Sequence, residues 1–330
     1  MKRRTLLHAL AVCMATAGAA PSVAQTSAPI GASWPQKPVR FIVPFPAGSA
    51  PDVMVRFLGI KLAEKWAQPV LIENRPGASG VIGMQAILAA PVDGYTFGFA
   101  QGSALSVAPS TIKSASYEFG RDFTPVGMVA TSPFLIAVAA NSPFRTLEDL
   151  VRAAKAKPGS VEIADNGRAT LPHLAAALLG LNSGTEFLHV HYQGGAQAMQ
   201  ATIAGETKAQ IEPLVTMFGM VQSGRMRVLA SMSDRAEPGL ESYPLATSTY
   251  ANTDGQGWYA VIAKKGIDPS IAQKANADLN EALTRPDVIA KYREFASYPR
   301  PGTPADLVRF LDGDQKKWNA VIERLGIKPE

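Results

Sequence analysis

His189 and His191 stand two residues apart in Phe187 to Tyr192. That run reads as a strand, so both imidazoles face one side. With His173 they form the densest set of base or ligand types after residue 24. The pair is compatible with a metal, but no third ligand is indicated nearby, and the three histidines read as structural. No G-x-S-x-G elbow occurs, because Gly102-Ser103-Ala104 lacks the second glycine. Gly77-Ala78-Ser79-Gly80 is followed by no Lys-Ser/Thr pair and is not a phosphate loop. Cys13 is the only cysteine, which leaves no thiolate nucleophile or Cys-based metal site downstream of it. Nothing singles out a catalytic carboxylate pair. The expectation is a protein without catalytic residues, metal or cofactor.

Three loops that enter helices without bulky side chains point elsewhere. They are Pro46-Ala47-Gly48-Ser49, Asn166-Gly167-Arg168-Ala169-Thr170 and Gln193-Gly194-Gly195. Small residues let backbone N–H groups approach a ligand, and helix N-termini carry unpaired donors with a partial positive charge. Such loops suit an anion, especially a carboxylate. Each is also what any α/β fold uses to turn from strand to helix. Arg168 reads either as a bidentate carboxylate partner or as a solvated surface residue.

The elements that would hold these loops alternate. Val39 to Val43, Val70 to Glu73 and Tyr95 to Phe99 read as strands, separated by helices from about Ala50 to Trp66 and Val81 to Ala89. Ser49 and Asp52 have the spacing of a capping box, with Pro51 in the first turn. The same β-α grammar recurs later. Its strands are Phe134 to Ala139, Val161 to Ala164, Phe187 to Tyr192, Lys208 to Glu212, Arg227 to Ser231 and Gly257 to Ala263. Thr146 and Thr170 cap helices, and Asp268-Pro269 and Thr303-Pro304 open two more. This pattern implies α/β layers with mainly parallel strands, whose loops gather at the strand C-ends. The two blocks are joined without a flexible tether, the pattern of lobes linked by crossing strands.

Charge and chain ends narrow the class. Lys2, Arg3 and Arg4 precede an apolar stretch from Leu6 to Ala20, and Ser22-Val23-Ala24 fits a cleavage site. Residues 1–24 therefore read as a secretory signal, too short for a membrane span. A Sec signal is expected; Arg3-Arg4-Thr5-Leu6-Leu7 leaves a twin-arginine signal as the second reading, and Leu10 to Cys13 only loosely resembles a lipoprotein box. The formal charge of +5 includes Lys2, Arg3 and Arg4, so the mature chain is near +2. No basic run with interleaved aromatics follows, and no nucleic acid is expected as a partner.

Longer motifs carry a resemblance over nearly the whole mature chain. Trp34-Pro35 through Pro44-Phe45-Pro46-Ala47-Gly48, Glu73-Asn74-Arg75-Pro76-Gly77-Ala78-Ser79-Gly80, and Asp93-Gly94-Tyr95-Thr96 resemble the Bug family. These are the TctC-like substrate-binding subunits of tripartite tricarboxylate transporters. Asp122 to Val126, His189-Val190-x-Tyr192-x-Gly194 and Ser223 to Ala230 agree. The resemblance implies a type II periplasmic-binding fold with two α/β lobes around a hinged cleft. It implies a periplasmic receptor for organic acids or amino acids, serving membrane permease subunits and expected as a monomer. It also implies a carboxylate held by amides and water between Pro46 to Ser49, with Phe45 leading in, and Asn166 to Thr170. Gln101, Ser103 and Tyr192 would line the cleft, and Asp52 would serve as a helix cap.

Several positions depart from the family pattern. Ser49 replaces a glycine, Arg168 enters the lobe-two loop, and Gln193 stands where a Lys is usual. Glu212 stands where Asp is frequent, either to hold a ligand ammonium or as an ordinary solvated residue. Expected boundaries are 34–132 with 257–330 for lobe one and 133–256 for lobe two. A periplasmic sensor for a signalling receptor is the alternative function, and an enzyme on the same scaffold is a more distant one.

Overall fold

A computed structural model describes residues 33–329. The signal expected at 1–24 lies outside them. The first block runs β1 (Val39–Val43), α1 (Ala50–Trp66), β2 (Val70–Asn74), α2 (Val81–Ala89) and β3 (Thr96–Gln101). Two single turns, α3 (Ala108–Thr111) and α4 (Phe119–Asp122), lead to the long strand β4 (Phe123–Ala139). The middle block is α5 (Leu147–Ala156), β5 (Glu162–Asp165), α6 (Leu171–Ser183), β6 (Leu188–His191), α7 (Gly195–Ala204), β7 (Ala209–Pro213), α8 (Leu214–Gln222) and β8 (Met226–Ser231). After α9 (Ala246–Thr249) and β9 (Gln256–Lys264) come α10 (Pro269–Thr284), α11 (Pro286–Glu294), β10 (Tyr298–Pro299) and α12 (Pro304–Arg324).

The strands lie in the order β2-β1-β3-β9-β4-β7-β5-β6, with β8 and β10 also paired to β4. β1 is parallel to β2 and β3, and β5 is parallel to β6 and β7. β9 is antiparallel to both β3 and β4. β4 belongs to both lobes of the fold. Its residues up to Pro133 pair with β9, and from Phe134 onward it pairs with β7 and β8. The strand expected at Phe134 to Ala139 is thus only the second half of β4. Pro125, Gly127 and Pro133 hide the first half, because proline and glycine read as strand breakers. Register shifts at Pro125/Gly127 and Met128/Ala130 accommodate them as bulges.

The period of two along each strand divides the core. Phe41, Val43, Phe97, Phe99, Tyr259 and Val261 face a cluster with Met54, Leu58 and Trp66 of α1 and Leu279 of α10. Ile42, Ala100, Trp258, Ala260 and Ile262 face the other way, toward Met84, Leu307, Leu311 and Trp318. That second cluster continues into Ile136, Leu150, Ile163 and Leu174. It is the apolar continuity that ties the two lobes, and α12 sits on it. Each large apolar side chain buried there contributes about 1.5–3 kcal/mol.

Candidate ligand cleft

The loop after β1 folds around Asp52. Its carboxylate accepts the Gly48 N–H at 2.9 Å, the Asn74 amide at 2.9 Å and the Arg56 guanidinium at 2.9 Å. Burial pushes this carboxyl up, but Arg56, Gly48 and Asn74 together outweigh it and hold it below its ordinary value. The capping box expected from Ser49 and Asp52 does not form. The Ser49 hydroxyl donates to the Pro46 carbonyl at 2.6 Å instead of capping α1. Asp52 reaches back to Gly48, one residue short of a box, because Ser49 N–H already donates to Pro46 O. Ala50 and Asp52 N–H, at the first turn of α1, have no intrahelical acceptor.

The loop after β5 is held by its own acids and bases. Asp165 accepts the Gly167 N–H at 3.0 Å and pairs with His191 Nδ1 at 2.9 Å. His173 Nδ1 accepts the Ala169 N–H at 3.1 Å, and Thr170 caps α6 as expected, accepting from His173 N–H while its hydroxyl donates to Gly167 O at 2.7 Å. Ala169 has φ +54° and Gly167 φ +139°, the left-handed turn that small residues permit. The imidazoles of His189 and His191 pack edge-on against His173, with centroids 5.0 and 4.7 Å away. Burial, then the neighbouring imidazoles, push His173 down to about 3, and the same causes bring His189 to about 4. Both are neutral loop-supporting rings. The loop therefore offers fewer open amides than its sequence suggests, since Gly167 and Ala169 N–H are already engaged.

The two lobes meet across the cleft at named bonds. Ser103 Oγ accepts the Leu171 N–H of α6 at 2.9 Å. Ser79 Oγ donates to the Arg168 carbonyl at 2.6 Å. A side chain at Gly194, where φ is +127°, would meet Pro46 at 3.4 Å. Between these contacts lie two connected spaces. The inner one is a narrow chamber of about 20 Å³, bounded by Phe45, Ser49, Gln101, Ser103, Asn166 and Glu212 among the residues expected from sequence. The outer one is an open groove of about 750 Å³ with Phe45, Pro46, Asn166, Gly167, Arg168, Ala169 and Tyr192 on its wall. Phe45, Asn166 and Gly194 border both and form the neck. Ala47, Gly48 and Thr170 border neither and shape the loops from behind.

Glu212 is 1 % exposed, so its reading as an ordinary solvated residue is overturned. The end of β7 points it into the inner chamber rather than to water. Burial, then the nearby Asp165 charge, pushes its carboxyl well above the usual carboxylate range. The Thr216 hydroxyl is close enough to favour the ionised form slightly but is not in bonding geometry. Sequence reasoning missed Thr216, Tyr259, Trp258 and Phe134, which also wall the chamber. Thr216 sits in the first turn of α8, a helix that the apolar run Leu214 to Val221 disguises. Tyr259 alternates with core residues on β9, and nothing in its neighbours marks it out.

A curled sheet in two lobes, with a cleft where strand ends meet helix N-termini, defines a periplasmic solute-binding protein. The model of the tripartite tricarboxylate transporter family receptor matches residues 9–327, and the chain belongs to that family. Protein BugT of Bordetella pertussis (strain Tohama I) is 32% identical over 331 residues, spanning 99% of each chain. A protein encoded in the tcbD-tcbE intergenic region of Pseudomonas sp. (strain P51) is 31% identical over 326 residues, 97% of this chain and 94% of that one. Among solved structures, R. palustris Rpa4515 with adipate superposes with a TM-score of 0.87 at 26% identity, covering 90% of this chain and 100% of that one. The periplasmic binding protein BugD superposes with a TM-score of 0.84 at 23% identity, covering 90% of this chain and 100% of that one, and supports the fold.

Proposed function

We propose that this receptor closes on a small carboxylate-bearing organic compound and presents the closed form to the permease subunits of a tripartite-type transporter. The observation that carries this is the convergence of helix N-termini on one enclosed chamber with Arg168 at its outer groove. The adipate bound by Rpa4515 supports the ligand class. The lobes are 34–132 with 257–330, and 133–256, with β4 and β9 as the crossing strands. The chain is exported by a Sec signal at 1–24, acts as a monomer and catalyses no reaction. Ser103 Oγ accepts the Leu171 N–H of α6, and a ligand oxygen would compete for that amide.

Thermal shift of ligand-stripped mature protein tests the reading. The panel is acetate, butyrate, benzoate, succinate, glutarate and adipate, each beside its neutral amide. At a concentration about 100 times Kd a ligand stabilises by roughly 2.7 kcal/mol, a shift of a few degrees. Carboxylates should raise Tm and the amides should not. Arg168→Ala should weaken the tightest acid by about tenfold, the worth of one exposed charge-assisted contact. A panel in which only amides or amines shift Tm refutes the anion site.

A further inference from the structure

The inner chamber poses a problem of charge. The N-termini of four helices open on it: Ser49 to Pro51 of α1, Leu171 and Pro172 of α6, Gly194 and Gly195 of α7, and Pro213 with Thr216 of α8. These ends favour an anion. Yet among the described residues no Lys, Arg or His borders the chamber, and Glu212 is the one carboxylic acid on its wall. An ionised Glu212 would repel a carboxylate at close range. Two further facts bear on how it behaves. Glu212 Oε1 is buried with no hydrogen-bond partner, and so are the Thr216 hydroxyl, Asn166 Oδ1 and the Tyr259 hydroxyl, which Ser132 approaches without bonding geometry. All four groups belong to residues on the chamber wall. Buried polar atoms left without protein partners are uncommon and call for a partner, an ordered water or a ligand group.

We propose that Glu212 receives the ligand carboxylate as a neutral acid, donating the hydrogen bond that a cation would otherwise supply, with Tyr259 and Thr216 hydroxyls beside it. The inference rests on the carboxylate reading of the cleft and specifies how the head group is held. An O–H donor to a carboxylate makes a short, strong bond in a dry site. The environment keeps the proton in place. Leu135 faces Glu212 across β4, Gly195 and Thr216 approach from α7 and α8, Asp165 lies on β5, and Tyr259 on β9. None of these supplies a positive charge, and Asp165, paired with His191, adds a negative one.

The consequence is a proton linked to binding. The competent state is an ionised ligand with a protonated Glu212. Affinity is level while both hold and falls up to about tenfold per pH unit once Glu212 ionises. Binding in the falling range takes up as much as one proton. Titration calorimetry of the tightest acid from the panel above, run from mildly acidic to alkaline pH in buffers of different ionisation enthalpy, reads both quantities. In Glu212→Gln a fixed amide donor replaces the acid. Its affinity at neutral pH should stay within about tenfold of wild type, and the alkaline fall and the proton uptake should vanish. A wild-type affinity that is level or rises at alkaline pH, or proton release on binding above neutral pH, overturns the proposal. So does a Glu212→Gln profile that keeps the wild-type fall. Should Glu212→Gln not fold, the wild-type profile and proton count decide alone. If no acid of the panel binds at all, the carboxylate reading itself is what fails.

Discussion

Two neutral imidazoles behind a binding loop, His173 and His189, give this protein a specific acid sensitivity. His173 and His189 are held far below the value of a free histidine by burial and by one another. A depressed folded value means that the unfolded chain takes up protons first. The stability they contribute is complete above about pH 6.5 and is lost as pH falls toward about 4 for His189 and about 3 for His173. The loss is several kcal/mol for the pair, most of it from the more deeply buried His173. Urea unfolding should show its midpoint fall between pH 6.5 and 4, and His189→Phe should flatten that fall. A midpoint equally acid-sensitive in the variant would place the titration elsewhere, for instance at the buried carboxyl of Asp165.

Caps at this protein's helices do two separable jobs. The α5 box is complete: Thr146 accepts the Asp149 N–H, and the Asp149 carboxylate accepts the Thr146 N–H. It lies away from both cleft spaces. Thr170 caps α6 and also holds Gly167 O from within, and it is fully buried. Either substitution by alanine should lower stability by about 1 kcal/mol, up to about 2 at the buried site. Only Thr170→Ala should also weaken carboxylate binding, because Gly167 and Arg168 ride on the turn it ties. Equal affinities for Thr146→Ala and Thr170→Ala would mean that the loop is positioned by Asp165 and His173 alone.

Across the whole molecule, function depends on how closely the lobes approach. Gly102 marks the tightest point. A Cβ there would lie 2.4 Å from Leu171 Cδ1 and 2.5 Å from Trp258 Nε1, whereas its own φ of −52° suits any residue. Gly102→Ala therefore tests closure without backbone strain. It should hold the cleft apart, so that small-angle scattering shows no compaction when ligand is added, and affinity should drop at least about tenfold. Normal compaction in Gly102→Ala would mean that Leu171 yields locally and closure tolerates the added methyl.

The local grammar of this fold was legible in the chain. The alternation in Val39 to Val43, the Thr146-x-x-Asp149 spacing and the Pro269 and Pro304 helix starts each rest on neighbours a few residues apart, and they form where expected. The three small-residue turns into helices were legible too, because small residues before a helix have a local cause. Which loop amides stay open was not. Asp52 takes Gly48, Asp165 takes Gly167 and His173 takes Ala169, each through a side-chain geometry that spacing alone leaves undecided. The first half of β4 was hidden because its prolines and glycine are tolerated only by bulges against β9, some 130 residues away in the chain. The inner chamber belongs wholly to the tertiary structure. Glu212 and Thr216 come from β7 and the α8 turn that directly follows it, Asn166 from the loop after β5 and Tyr259 from β9, and only the crossing of β4 and β9 brings their orphaned polar atoms to one buried space. Sequence determines which residues turn inward on each element, since that follows from the periods of strand and helix. Burial depth, and with it the state of a carboxyl such as Glu212, is set by what the other lobe places over it.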